Sequence, residues 1–307
     1  MEVGSNAEVG FSSFEAQFEN KRTIPFPEGN VDVVDVAPPN VSALPVLLAP
    51  GWSENQDTYK KSLKVLYDSG RRAITVGYGR RGGETEKHET YPQAELRKAN
   101  QLLGVLSAKD IDKVDGIFHS EGAINGLIAA MLRPDKFRNI VLDKPAGLIG
   151  EDSKTNLTAR FLKLLVTEAV ERKPFSFSDP TNSVTASART LNYIAGNPLR
   201  TLSEMEALTT QDITHLIHHL EGLGIKFSII AAPDDPLYPI KRQIEYMRQK
   251  QEESGKMLPI EGYYSVKGGH NELSINADQH TLLAVDALNG LQRRRERLEA
   301  EKVKQAP

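Results

Sequence analysis

The sequence predicts the α/β class, with a mostly parallel sheet covered by helices on both faces. Three observations carry the prediction. Short β-branched runs bounded by Gly, Pro and Asn recur along the chain, and runs with apolar residues at helical spacing lie between them. The alternation then breaks once, between about 150 and 222, where the segments read as helix and none as strand. At 307 residues the length suits one large domain with an insertion, or two small ones. The reading divides the chain into an N-terminal core part (1–149), a helical cap or lid (150–222) and a C-terminal core part (223–307).

The elements follow in order. After a polar leader, "VDVVDV" (31–36) and "LPVLLAP" (44–50) are short apolar strands, the second a buried one. "NQDTYKKSLKVLYDSG" (55–70) has helical spacing and stops at Gly70, and "RRAITVGYG" (71–79) returns to strand. A helix near 93–107, the strand "VDGIF", a helix near 122–132 and the strand "RNIVLD" (138–143) continue the pattern. Beyond the helical stretch come the strand "KFSIIAA" (226–232), a helix near 237–253, the strand "EGYYSV" (261–266) and a helix from about 275. No internal repeat is evident, and the mixed-charge tail "LQRRRERLEAEKVKQAP" reads as a solvated helix end.

Composition narrows the function classes. With 39% hydrophobic and 26% charged residues, 17 Pro and 23 Gly, the chain is an ordinary globular one rather than disordered or collagen-like. A formal net charge of −3 gives no general attraction to nucleic acid or anionic lipid, so a small molecule is the expected partner, with no nucleic acid and no membrane. The absence of cysteine excludes disulfides, thiolate zinc sites and cysteine nucleophiles. The first twenty residues lack a basic n-region and an apolar h-region, and no uncharged apolar run reaches the roughly 18 residues of a membrane helix, so a cytoplasmic location is expected.

The segment Phe118-His119-Ser120-Glu121-Gly122 joins a strand to a helix. A sharp turn there exposes a serine hydroxyl at the carboxyl edge of the sheet, and the Glu121 N–H, at the start of the helix, can face an oxyanion. A serine at this place could equally cap the helix. The pattern resembles the α/β-hydrolase family, whose elbow usually reads Gly-His-Ser-x-Gly; here Phe118 takes the place of the first Gly. The resemblance extends over about residues 30–290 and implies that fold, a serine nucleophile at Ser120, then an acid, then a histidine, in that chain order. "PDDPLYP" (233–239) resembles the family's acid loop, with Ala232 standing for its Gly and Asp235 for the acid; Asp234 is the neighbouring alternative, and Asp143 after "NIVL" a further one. "YYSVKGGHNEL" (263–273) places His270 in the position of the family's histidine. The loop Ala49-Pro50-Gly51-Trp52-Ser53 implies a second oxyanion donor in the Trp52 backbone N–H.

The resemblance therefore implies a serine hydrolase acting on an ester-type acyl bond of a small or medium substrate, with no cofactor and no metal. Amide, thioester, acyl-transfer and carbon–carbon bond chemistry share the same triad, and a non-catalytic scaffold on the same fold is the alternative from another class. Epoxide hydrolases and haloalkane dehalogenases, with their aspartate nucleophile, are disfavoured by the serine. The match of Gly77, Gly79 and Gly82 to G-x-G-x-x-G lacks a helix opening inside the motif, which argues against a dinucleotide site. His215, His218 and His219 share one helical side but lack an accompanying acid motif, so they read as surface or packing residues.

Overall fold

The computed structural model describes residues 13–80, 83, 85–171 and 183–305. Its centre is an eight-stranded sheet: β1 (Arg22–Ile24), β2 (Val31–Val36), β3 (Val46–Ala49), β4 (Ala73–Tyr78), β5 (Val114–His119), β6 (Phe137–Asp143), β7 (Lys226–Ala231) and β8 (Ile260–Ser265). The spatial order is β1-β2-β4-β3-β5-β6-β7-β8. Only β1 on β2 and β2 on β4 pair antiparallel, and every later pairing is parallel.

The central strands are apolar on both sides because both sides are covered. On β3, Leu47 and Ala49 enter one core cluster while Val46 and Leu48 enter the other; β6 divides Ile140 and Leu142 from Val141 in the same way. Helices α3 (Gln93–Ala108) and α4 (Gly122–Leu132) pack over the first face. Helices α1 (Phe14–Glu19), α2 (Lys60–Asp68) and α11 (Ala277–Gln305) pack over the second. The strands anticipated from residue pattern all form, with ends shifted by at most two residues. What reads as a polar leader instead holds α1 and β1: Ser13 Oγ accepts the Ala16 N–H at the start of α1, and Phe14 and Phe18 anchor that helix in the core.

Between β6 and β7 lie α5 (Lys154–Glu171), α6 (Ser183–Gly196), α7 (Pro198–Thr210) and α8 (Thr214–Gly222). No strand interrupts them among the described residues. Helices α5, α6 and α7 pack on one another and α7 packs on α3, whereas α8 packs on α4 and β7 through Ile213, Leu216, Ile217 and Leu220. The last part of segment 150–222 therefore covers the sheet face. After β7 come α9 (Ile240–Ser254), then β8 and the short α10 (Glu272–Ile275). Among the described residues no helix is long and apolar enough to cross a membrane.

Candidate active site

Ser120 stands between the end of β5 and the start of α4 with a φ of 53°, in the left-handed region that a side chain disfavours. The turn is fixed from both sides. The Ser120 N–H donates to the Asp143 carbonyl (3.0 Å), and its own carbonyl accepts from the Ala123 and Ala146 N–H groups (3.0 and 3.1 Å). A side chain at Gly122 would bring its Cβ within 2.4 Å of the Ala49 carbonyl oxygen, so only glycine allows α4 to start this close to β3. No side chain caps α4; the Ser120 hydroxyl is directed elsewhere, 2.9 Å from His270 Nε2.

Phe118 fits the elbow because the space for its ring comes from two other glycines. A Cβ on Gly116 would fall 2.7 Å from the Phe118 ring and one on Gly126 would fall 2.6 Å from it. The ring is fully buried and meets Phe137 edge-on at 6.1 Å.

His270 follows β8 on a loop whose Gly268 has a φ of 128°, where a Cβ would lie 2.5 Å from Glu272 Cγ. Its Nδ1 is 2.8 Å from Asp235 Oδ2. With Nδ1–H donating to that carboxylate, Nε2 is left to accept the Ser120 hydroxyl proton. The other Asp235 oxygen accepts the N–H groups of Leu237 (2.8 Å) and Tyr238 (3.1 Å). Burial pushes the Asp235 carboxyl up, but its electrostatic interaction and hydrogen bond with His270 and the two backbone N–H groups outweigh it and hold the carboxyl below its ordinary range.

The structure thus brings Ser120, His270 and Asp235 into one hydrogen-bonded array. Asp143 does not join it; both of its oxygens accept from Lys144 Nζ, at 3.0 and 3.1 Å. His215 and His219 are exposed on α8 and His218 half-buried. Gly77 lies within β4, and among the described residues no helix opens between β4 and Gln93; Gly82 of the glycine-rich motif lies outside the described residues.

Ser120 and His270 line a cavity of about 190 Å³, whose other walls include Trp52, Phe161, Leu208 and Tyr238. Trp52 packs edge-on against Phe161 at 5.2 Å and Tyr193 at 6.0 Å. Among the described residues neither the Trp52 nor the Glu121 backbone N–H has a hydrogen-bond acceptor. The Glu121 amide owes this to its place at the first turn of α4, where helical N–H groups lack intrahelical partners.

Two further residues beside Ser120 escaped the sequence reading. His119, directly before it, is buried, with Nδ1 2.9 Å from Glu54 Oε2 and Nε2 3.1 Å from the His270 carbonyl. Burial pushes this imidazole down, but the Glu54 charge and hydrogen bond outweigh it and raise its pKa, which favours the imidazolium, the form with an N–H for both Glu54 and the His270 carbonyl. Burial likewise pushes Glu54 up, yet the His119 charge, its hydrogen bond and that of Tyr59 bring it down to about 2. The same Glu54 oxygen accepts the Gly51 N–H at 2.9 Å, which fixes the loop carrying Trp52. Only the His-Ser order within the elbow hinted at this; Glu54 is 65 residues away in the chain.

Comparison with solved structures places this architecture. Over 89% of this chain and 99% of the other, it superposes on a carboxylesterase of the thaumarchaeon Nitrososphaera gargenis with a TM-score of 0.61 at 15% identity. The chain has the α/β-hydrolase fold. A second structure with this fold, the bromoperoxidase from Bacillus anthracis, matches 85% of the chain and 95% of its own length, with a TM-score of 0.58 at 18% identity. In sequence, an epoxide hydrolase of Caballeronia sordidicola is 30% identical over 112 residues. That match takes in 35% of this α/β-hydrolase-fold chain and spans only about a third (33%) of the relative's length. No family model matches the sequence.

Proposed function

We propose that the protein is a serine hydrolase that cleaves an ester-type acyl bond of a small or medium substrate. The observation that carries this reading is the Ser120–His270–Asp235 array, with contacts of 2.9 and 2.8 Å, at an apolar cavity. Ser120 Oγ attacks the acyl carbonyl while His270 Nε2 takes its proton, and Asp235 holds the imidazole tautomer and stabilises the imidazolium. The Trp52 and Glu121 N–H groups receive the oxyanion, and the dipole of α4 adds to its stabilisation. As the tetrahedral intermediate collapses, His270 returns the proton to the leaving alcohol. Water then attacks the acyl carbon as His270 Nε2 takes its proton; the bond from Ser120 Oγ to the acyl carbon breaks, His270 returns the proton to Ser120 Oγ, and the acyl group leaves as a carboxylic acid.

A serine that forms an acyl-enzyme needs an acyl carbon, which sets this reading apart from the activity that the epoxide hydrolase relative's name describes. Phe118 lends no support to a scaffold reading, since Gly116 and Gly126 make room for its ring. Labelling by a fluorophosphonate probe tests the proposal. Wild-type protein should be labelled and should turn over short acyl esters, whereas Ser120→Ala should lose the label and on the order of 10⁴ to 10⁶ in kcat. Labelling or ester hydrolysis that survives in Ser120→Ala defeats it.

A further inference from the structure

A cluster of ionisable side chains lies in the interior behind the Glu121 amide, and the acyl-transfer steps do not use it. Lys98 of α3 is fully buried, with Nζ 2.6 Å from both Glu121 oxygens and 3.2 Å from Glu204 Oε1 of α7. Glu204, also fully buried, accepts the Trp52 indole N–H on Oε2 at 3.1 Å. Its Oε1 accepts from Arg80 Nη1 and the Tyr193 hydroxyl, both at 2.8 Å. Burial alone would strip the Lys98 proton; the Glu121 and Glu204 carboxyls outweigh it and keep the ammonium charged, while burial and the neighbouring Glu95 push the Glu121 carboxyl up and the surrounding cations hold Glu204 down against its burial.

The ends of this chain of contacts are what give it significance. Glu121 and Trp52 are the two residues whose backbone N–H groups receive the oxyanion in the reading above, and their side chains are joined through two buried ions. Apolar side chains could seat α7 on α3 without the desolvation that buried charges incur. Charge-assisted hydrogen bonds add a fixed direction and length, which a pair of oxyanion donors needs and helix packing does not.

We propose that Lys98 and Glu204 are positioning residues for the oxyanion-binding amides. The bridge Glu121–Lys98–Glu204–Trp52 sets the separation of the two donors. Because Glu204 belongs to α7, the oxyanion hole is complete only while the helical segment is seated on α3. This inference rests on Ser120 being the nucleophile.

The test uses two variants of the full chain. Trp52→Phe keeps the ring packing and the backbone N–H but removes the indole donor; Glu204→Gln keeps the shape but removes the charge. Each should lower kcat on a short acyl ester by about 10- to 100-fold with KM within about twofold. Each should weaken a trifluoromethyl ketone, whose adduct with Ser120 carries an oxyanion, by the same factor, while the matching secondary alcohol binds as in wild type. Combining the two substitutions should cost little more than either alone, since both cut one bridge. If Glu204→Gln fails to fold, Trp52→Phe carries the test.

Unchanged kcat in a folded variant overturns the inference. So does an equal loss of ketone and alcohol binding, which marks a general disturbance of the cavity. Ser120→Ala separates the two levels of argument. Turnover surviving in that variant removes the nucleophile reading and this inference with it, whereas a dead Ser120→Ala beside a fully active Glu204→Gln removes this inference alone.

Discussion

Replacing Glu54 with Gln isolates the ion pair behind the nucleophile. In the native chain Glu54 titrates near 2 rather than at 4.5. Such a carboxyl contributes about 3 kcal/mol at neutral pH, a contribution complete above roughly pH 4.5 and lost as the pH falls toward 2. His119, raised above 6.5, reports the same interaction from the other end: its contribution is complete below about pH 6.5 and lost as the pH climbs through the raised value. The wild-type pair is therefore intact, and its contribution flat, between about pH 4.5 and 6.5.

In Glu54→Gln the imidazolium loses its anion. The next carboxylate, Asp143, is 3.7 Å from Nε2 and already paired with Lys144. Burial then holds His119 neutral in the native state while the unfolded chain takes up a proton below about 6.5. Each pH unit below that value costs the variant up to about 1.4 kcal/mol. Urea unfolding can be followed by the fluorescence of Trp52, the only tryptophan in the chain. The variant should be less stable by about 3 kcal/mol at pH 7, and by roughly 1 to 2 kcal/mol more at pH 5. A gap that stays constant or narrows from pH 7 to pH 5 refutes a charged Glu54–His119 pair.

Three other outcomes are expected. Asp235→Asn should lower kcat by about 10⁴ with little change in Tm, whereas Asp143→Asn should mainly lower stability by leaving the buried Lys144 ammonium without its anion; the opposite ranking of kcat losses in equally folded proteins reassigns the acid. Phe161→Ala should shift preference toward longer acyl chains by opening the wall beside Trp52, measured as kcat/KM across esters of increasing length, and an unchanged profile counts against a role of α5 in substrate size. Phe118→Ala should cost about 3 to 5 kcal/mol in urea unfolding, because the space left by Gly116 and Gly126 would be empty; a loss under about 1 kcal/mol means that the neighbours collapse into it.

The sequence made the sheet legible because a strand buried on both faces is written locally, as a run such as "PVLLAP" between turn residues. The order Ser120, Asp235, His270 was equally readable, since each follows a strand end that brings it to one edge of the sheet. Helix α1 and strand β1 were not readable. They span 6 and 3 residues, and their large apolar side chains are only Phe14, Phe18 and Ile24, whose burial depends on partners elsewhere. Glu54 and Glu204 were hidden for a related reason. A carboxylate in a polar stretch looks solvated until its partners are known, and Glu204 meets Trp52 across 152 residues.

The elbow itself combines these two kinds of information. Ser120 holds a φ of 53°, a conformation that costs free energy and persists only when its surroundings over-determine it. The local motif supplies Gly122, which permits the close approach to β3. The restraint comes from the neighbours on either side, both buried and ionisable. His119 ties one side to Glu54 and to the His270 carbonyl, while Glu121 ties the other to Lys98. Each tie runs to a different element, one to the loop after β3 and the loop after β8, the other to α3. A turn held by opposed buried hydrogen bonds cannot relax toward either side without breaking one of them; on the His119 side that breaks the buried pair with Glu54, which costs about 3 to 5 kcal/mol, more than the roughly 1 to 3 kcal/mol of backbone strain that relaxation would recover.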